Sequence, residues 1–223
     1  MTEANATVGA TVYQQIKHDI IFGILAPGAK LKLNALKDRY SASLSTLRET
    51  LNRLASEGFV DAPSQRGFFV STVSQADLHE IASLRVLLEC HALDLSLANG
   101  DTEWEGNLVA AHHKLSLMEG RMMSGDSSSK ETWKRYDWEF HLATIMACQS
   151  RNLLDLHSII YDKYLRYQML VLTHRGEAAR QEHADLLEAA ISRDAGRAKA
   201  LLQAHVMGGL RHTSEAMGWP SPT

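Results

Sequence analysis

The stretch from Ser43 to Val73, SLSTLRETLNRLASEGFVDAPSQRGFFVSTV, constrains the fold more than any other part of the chain. Leu47, Leu51 and Leu54 fall three or four residues apart, the spacing of one apolar helix face, and Gly58 ends that helix. Two β-type runs follow at once, Phe59 to Ala62 and Phe68 to Val73, and the Pro-Ser-Gln-Arg-Gly between them is a turn sequence. A helix that stops directly before so short a hairpin leaves the hairpin little choice but to lie beside it. Arg48 and Arg53 take the polar side of the helix, and Arg66 takes the hairpin tip.

The residues before this stretch complete a pattern. Val12, Ile16, Ile20 and Phe22 trace an amphipathic helix from Thr11 to Leu25, which Gly23 and Pro27-Gly28 end. Leu31 and Leu33 lead into Asn34, read as the N-cap of a short helix from Ala35 to Tyr40, and Ser41-Ala42-Ser43 makes the turn into the next helix. The order helix, helix, turn, helix, hairpin is that of a winged helix-turn-helix. In that fold the third helix can enter a major groove, and the hairpin can touch backbone or minor groove.

Beyond Val73 no strand pattern appears. Ser74 reads as an N-cap, with Asp77 in the first turn of a helix reaching about Leu97. Helical periodicity then covers about Thr102 to Met123, Glu131 to Ala147, Asn152 to His174, Glu177 to Arg193 and Ala195 to Met217, and 125–129 is a polar loop. The expected fold is mainly α: a winged domain over 9–73 and an all-helical bundle over 74–217. A disordered start over 1–8 and a tail over 218–223 flank them.

Composition adds little about partners until it is divided. The formal net charge is −3, yet up to Val73 eight Lys and Arg stand against six Asp and Glu, and after it fifteen stand against twenty. Phosphate binding needs cations, so DNA contacts are expected in the first part, with Arg48, Arg53 and Arg66 as candidates. Ten of the eleven histidines come after Val73. Cys90 and Cys148 form no CxxC pair, which argues against a disulfide framework. No stretch approaches the roughly 18 apolar residues of a membrane span, and MTEANATVGA has neither the basic start nor the apolar core of a signal peptide. A cytoplasmic protein is expected.

Ionisable residues on the inward stripes of the bundle helices need an explanation. Arg85 falls between Leu78, Ile81 and Ala92, with Glu89 one turn on. The two can form an i,i+4 ion pair on the helix flank, or Arg85 can be a buried cation for an anionic ligand, with Glu89 a candidate for the same effector site. Asp137 and His141 share a face beside Trp133 and Phe140. His183 lies in the stripe of Ala179, Leu186 and Leu187, and His205 in that of Ala198, Leu201 and Leu202. Both histidines are eleven residues from Asp194, a candidate N-cap between their helices, so an antiparallel hairpin sets them at one height. One carboxylate and three imidazoles can hold a divalent ion, Zn²⁺ first, with Ni²⁺ or Mn²⁺ as alternatives. The other reading is three separately satisfied core histidines. His174 and His212 are candidates to line a cavity beside the site.

The segments IIFGILAPGAKL, LKDRYSASLSTLRETLNRLASEGFV and QRGFFV resemble the DNA-binding domain of the GntR family of bacterial transcription regulators, over roughly Val12 to Val73. The resemblance implies DNA contacts from Ser45, Thr46 and Arg48 and wing contacts from Arg66 and Gly67. The family usually has a basic residue where this chain has Leu44. Asp-x-x-x-His, then Glu-His, then a late His is similar to the metal-binding FCD effector domain of the FadR-like branch, here at Asp137, His141, His183 and His205. That similarity implies a small organic acid bound beside the ion with Arg85 near it, in a regulator, most often a repressor, which binds a palindromic operator as a homodimer. A metal-dependent enzyme of hydrolase type fused to a winged helix is the alternative from another class.

Overall fold

The computed structural model describes residues 8–126, 128, 130–171 and 175–220. Residues 1–7, Ser127, Ser129, residues 172–174 with the candidate His174, and the last three residues lie outside that set. The chain divides into two compact units, Met1–Asp77 with Leu165–Leu172, and Leu78–Tyr164 with Thr173–Thr223.

In the first unit, helices α1 (Val8–Ile21), α2 (Leu33–Tyr40) and α3 (Leu44–Ser56) surround an apolar centre. Ile16, Ile20, Leu47, Leu51, Leu54 and Phe59 have no exposed surface there. Ser43 caps α3 by accepting from the Thr46 N–H at 3.1 Å. At the other end Gly58 takes φ +79°, and the Phe59 N–H reaches the Leu54 carbonyl at 2.9 Å, a Schellman closure that turns the chain into the wing. Strands β1 (Lys30–Leu31), β2 (Val60–Asp61) and β3 (Phe68–Val70) form an antiparallel sheet in the order β1-β3-β2.

Strand β1 corrects the sequence expectation. Lys30 and Leu31 pair with Phe69 and Phe68, which keeps the chain extended through Lys32 at φ −78° and ψ 115°. Helix α2 therefore starts at Leu33, and Asn34 is its second residue rather than its cap. Two-residue strands carry too little alternation to be read from sequence.

The second unit is all helical among the described residues. It comprises α4 (Gln75–Asn99), α5 (Thr102–Met123), α6 (Lys130–Ile145) with a 3₁₀ turn at Met146–Cys148, α7 (Arg151–Val171), α8 (Glu177–Ile191) and α9 (Ala195–Ala216). The first three residues of α4 and the last turns of α7 belong to the winged unit. There the Tyr167 hydroxyl donates to Asp77 Oδ2 at 2.6 Å and accepts from the Ser74 N–H at 3.1 Å.

The α8–α9 hairpin has defined causes. Arg193 at φ +57° reverses the chain, and its guanidinium donates to the Leu97 and Gly100 carbonyls at 3.0 and 2.9 Å and to Glu105 at 2.5 Å. Asp194 then caps α9 by accepting from the Arg197 N–H at 2.9 Å. The turn fixes the relative height of the histidines on the two helices. We expect Asp194→Ala to lower stability by about 1 kcal/mol in urea unfolding; an unchanged midpoint would show that the Arg193 contacts alone hold the turn.

Candidate metal centre and nucleic-acid interface

Asp137 and His141 face inward from α6, His183 from α8 and His205 from α9, and all four are buried. One ligating atom from each lies within 4.8 Å of the others. His141 Nε2 and His205 Nε2 are 3.3 Å apart, and His183 Nε2 is 3.5 Å from Asp137 Oδ1. Two ligand atoms about 2 Å from one ion at a near-tetrahedral angle stand roughly 3.3 Å apart, so these spacings fit a common ion. His183 Nε2 is buried and makes no hydrogen bond among the described residues. An unmatched imidazole nitrogen aimed at a carboxylate and two further Nε2 atoms is what an ion site requires of its ligands.

The far sides of His183, His205 and Asp137 are hydrogen-bonded, and His141 Nδ1 lies near a carboxylate without a hydrogen bond among the described residues. His183 Nδ1 lies 2.7 Å from Glu119 Oε1, His205 Nδ1 2.8 Å from Glu182 Oε2, and His141 Nδ1 3.3 Å from Glu89 Oε2. Asp137 Oδ2 accepts from the Tyr161 hydroxyl at 2.8 Å and from Lys134 Nζ at 3.4 Å, which leaves Oδ1 for the centre.

Burial and charge set the protonation states. Burial favours neutral His141, and the nearby Arg85 cation adds to that; both hold its pKa below the ordinary value despite Glu89. Burial and then His183 push His205 well below it. Burial alone would raise Asp137, but Lys134 and the histidines outweigh it and keep the carboxylate ionised. Against its own burial, Glu182 is held down at about 2 by hydrogen bonds from His205 and Arg175. Bare imidazoles and an ionised carboxylate are the states in which these groups bind cations.

Glu89 is the junction of the unit. It accepts from Arg85 Nε at 2.7 Å and pairs with His157 Nε2 at 2.8 Å, with His141 on its second oxygen. The Arg85 guanidinium lies 4.4 Å from the Tyr161 ring centre and 4.8 Å from that of Tyr164. The i,i+4 pair therefore exists, but in the interior rather than on a flank, with Arg85 1 % and Glu89 0 % exposed. Glu89 has its oxygens fully engaged, whereas Arg85 Nη1 makes no hydrogen bond among the described residues. His212 is half-buried on α9, two turns beyond His205.

In the winged unit, Ser45, Arg48, Arg66 and Gly67 are exposed and Thr46 is half-buried. The Ser45 and Thr46 hydroxyls lie 2.8 and 2.9 Å from the Ser43 hydroxyl, so the three form one polar cluster at the α3 N-terminus. Arg66 stands at the wing turn, between Gln65 at φ +63° and Gly67 at φ +87°. Arg53 is engaged within the fold: its guanidinium sits 3.8 Å above the Tyr13 ring and its Nε is 3.3 Å from Glu57. Leu44 is half-buried in the first turn of α3.

Residues 9–70 match the profile of the bacterial regulatory proteins of the gntR family, and residues 80–208 match the FCD domain. The chain is 38 % identical over 196 residues to an uncharacterized HTH-type transcriptional regulator, BphR of Paraburkholderia xenovorans (strain LB400), covering 87 % of this chain and 80 % of BphR. This chain belongs to the GntR family. It is also 30 % identical to the HTH-type transcriptional repressor GlaR of Escherichia coli (strain K12), with 92 % of this chain and 95 % of GlaR covered. The solved structure of E. coli McbR/YncC superposes with a TM-score of 0.80 over 97 % of this chain and 100 % of its own, at 20 % identity, which shows a shared fold. The GntR and FCD assignments make the chain a transcription regulator and remove the enzyme reading.

Several groups in this GntR regulator escaped the sequence reading. Glu119 sits on the α5 stripe of Leu108, Ala111, Leu115, Met118 and Met122, the same kind of anomaly that marks Arg85 on α4. Lys134, His157 and Tyr161 were open to the same test, whereas Arg175 precedes α8 and carries no periodic signal. Removing one member of a buried ion pair strands the other. Glu89→Ala should therefore lower stability by about 3 to 5 kcal/mol in urea unfolding, while Arg85→Met with Glu89→Leu should lower it far less. Equal losses in the two proteins would refute the pairing account.

Proposed function

We propose that this GntR regulator is a ligand-responsive repressor whose FCD domain holds a divalent ion, Zn²⁺ first, with Asp137, His141, His183 and His205. The observation that carries this reading is the convergence of three Nε2 atoms and one carboxylate oxygen in a buried site, with His183, His205 and Asp137 hydrogen-bonded from behind. Three imidazoles favour zinc or nickel over magnesium or calcium. When bound, such an ion offers a Lewis-acid position to a carboxylate oxygen.

The effector is then a small organic acid. Arg85 is fixed between two tyrosine rings and by Glu89, and its uncommitted Nη1 gives it a donor for the ligand's carboxylate. Glu89 remains a candidate beside Arg85 for the same ligand, and it pairs with Arg85 and His157 and lies next to His141. His174 and His212 remain candidates for the cavity wall.

The response travels through elements the chain already shares. Helix α4 carries Arg85 and Glu89 and begins in the winged unit, and α7 carries Tyr161 and ends there. A ligand that favours one arrangement of these helices shifts the population toward it by its difference in affinity for the two states. The protein acts on DNA in the cytoplasm as a homodimer on a palindrome, two α3 helices reading successive half-sites. Leu84 and Leu87, 37 % and 65 % exposed on α4, provide apolar surface for the second copy. Ser45, Thr46 and Arg48 on α3 and Arg66 and Gly67 at the wing make the contacts, with Arg53 as a support for α3 through Tyr13 and Glu57.

Two measurements test the two halves. His183→Ala with His205→Ala should empty the site in elemental analysis and leave the helical circular-dichroism signal; metal retained at one ion per chain would refute the ligand set. Arg48→Ala should weaken binding to a selected operator duplex by about 1 to 3 kcal/mol if it reads a base, and by a similar amount on every sequence if it touches phosphate. Unchanged affinity would take Arg48 out of the interface.

A further inference from the structure

We propose that Glu119, Glu182 and Glu89 are positioning residues that set metal affinity, by holding the proton of each ligand imidazole on Nδ1 and leaving its Nε2 lone pair turned to the centre. The inference rests on the metal reading above and goes beyond it, since none of the three carboxylates is a ligand.

A neutral imidazole carries one proton, and only the bare nitrogen can bind a cation. Which nitrogen is bare is decided by what the other one bonds. In this unit all three histidines turn Nε2 to the centre and Nδ1 to a carboxylate supplied by a different element: α5 for His183, α4 for His141, and α8 itself for His205. A carboxylate only accepts, so each selects the Nδ1–H form.

The three are not equivalent. Glu119 is 5 % exposed, its one described hydrogen bond goes to His183, and its second oxygen is buried without a hydrogen bond. A buried carboxyl group with an unmatched oxygen is unfavourable for the fold by itself. Serving His183 is the role its surroundings leave it. Glu182 also takes the Arg175 guanidinium, and Arg175 Nη2 lies 3.1 Å from His205 Nδ1. A donor at that nitrogen favours the opposite tautomer, so Glu182 and Arg175 compete over His205. Glu89 is shared with Arg85 and His157, and its 3.3 Å approach to His141 Nδ1 is a charge contact without a hydrogen bond. Glu119 therefore has the clearest consequence.

The test uses the full chain stripped of metal and titrated with Zn²⁺ alone against a chromophoric chelator. Glu119→Gln keeps an acceptor for the Nδ1–H and should weaken zinc binding about 10-fold, whereas Glu119→Leu removes it and should weaken binding toward 100-fold. The metal-free forms of both should keep the parent's helical signal and a cooperative melt, and the partial rescue by Gln is the result a merely structural role would not give. Parent-like zinc affinity in the Leu variant overturns the inference, as does equal loss in both variants accompanied by equal loss of the metal-free melting temperature. A parent chain that fails to bind one zinc removes the metal reading itself, and this inference with it.

Discussion

The helical unit depends on compensation of charge that has been taken out of water. Arg85, Glu89, Lys134, Asp137 and Glu119 are all at most 5 % exposed, in a region that also buries three imidazoles at its centre. No one of these groups is tolerable alone, because desolvating an isolated ion far outweighs any single contact it makes. Their arrangement answers that requirement pair by pair: Arg85 with Glu89, Lys134 with Asp137, Arg175 with Glu182. Among the described residues Glu119 has no Lys or Arg paired with it, and it faces His183. The cluster thus holds more carboxylates than cations, which is an attraction for a positive ion at the point where the Nε2 atoms meet.

That same compensation explains why the apolar frame is built as it is. Helices α5, α6, α8 and α9 contribute one or two polar side chains each to the centre, and the remainder of every inward stripe is apolar and closed to water, as with Leu108, Leu115, Phe140, Leu186 and Leu202. Packing of these residues fixes helix position to within the tolerance that hydrogen bonds need. The turn at Arg193 and Asp194 then sets the register of His183 against His205, so a local feature of two residues controls a long-range distance. Arg175 takes up the space beside Gly208, where a Cβ would come within 2.4 Å of its Nη1. A side chain at position 208 would displace the guanidinium that shares Glu182 with His205.

Legibility in the sequence followed the strength of local signals. Long periodic helices with side-chain caps stood out: Asp194 and Ser74 mark helix starts whose side chains do accept the expected N–H groups. Strand β1 did not, because two residues show no alternation, and the start of α2 moved with it. The four residues gathered in the centre could be picked out because each interrupts an apolar stripe, and equal distances from one turn argued that two of them meet. The groups behind them were harder. Glu119 interrupts a stripe as plainly as Arg85, but nothing in the sequence says which helix faces α5, and so nothing says that His183 lies opposite.

Placement of Arg53 illustrates a different limit. On the helix surface Arg48 and Arg53 look alike, both basic and both on the polar side of α3. What separates them is tertiary: Tyr13, which donates to Glu57 from α1, offers a ring face to Arg53 and none to Arg48. Stacking and the ion pair restrict how the Arg53 guanidinium is oriented, while 60 % of its side chain stays exposed. Arg48, exposed one turn after the Ser43 cap, stacks on no ring among the described residues, and the helix N-terminus beside it adds a partial positive charge of the kind that draws a phosphate. Leu44 puts no charge in the first turn of α3, so that partial charge and the Arg48 cation are what the start of the helix presents to solvent.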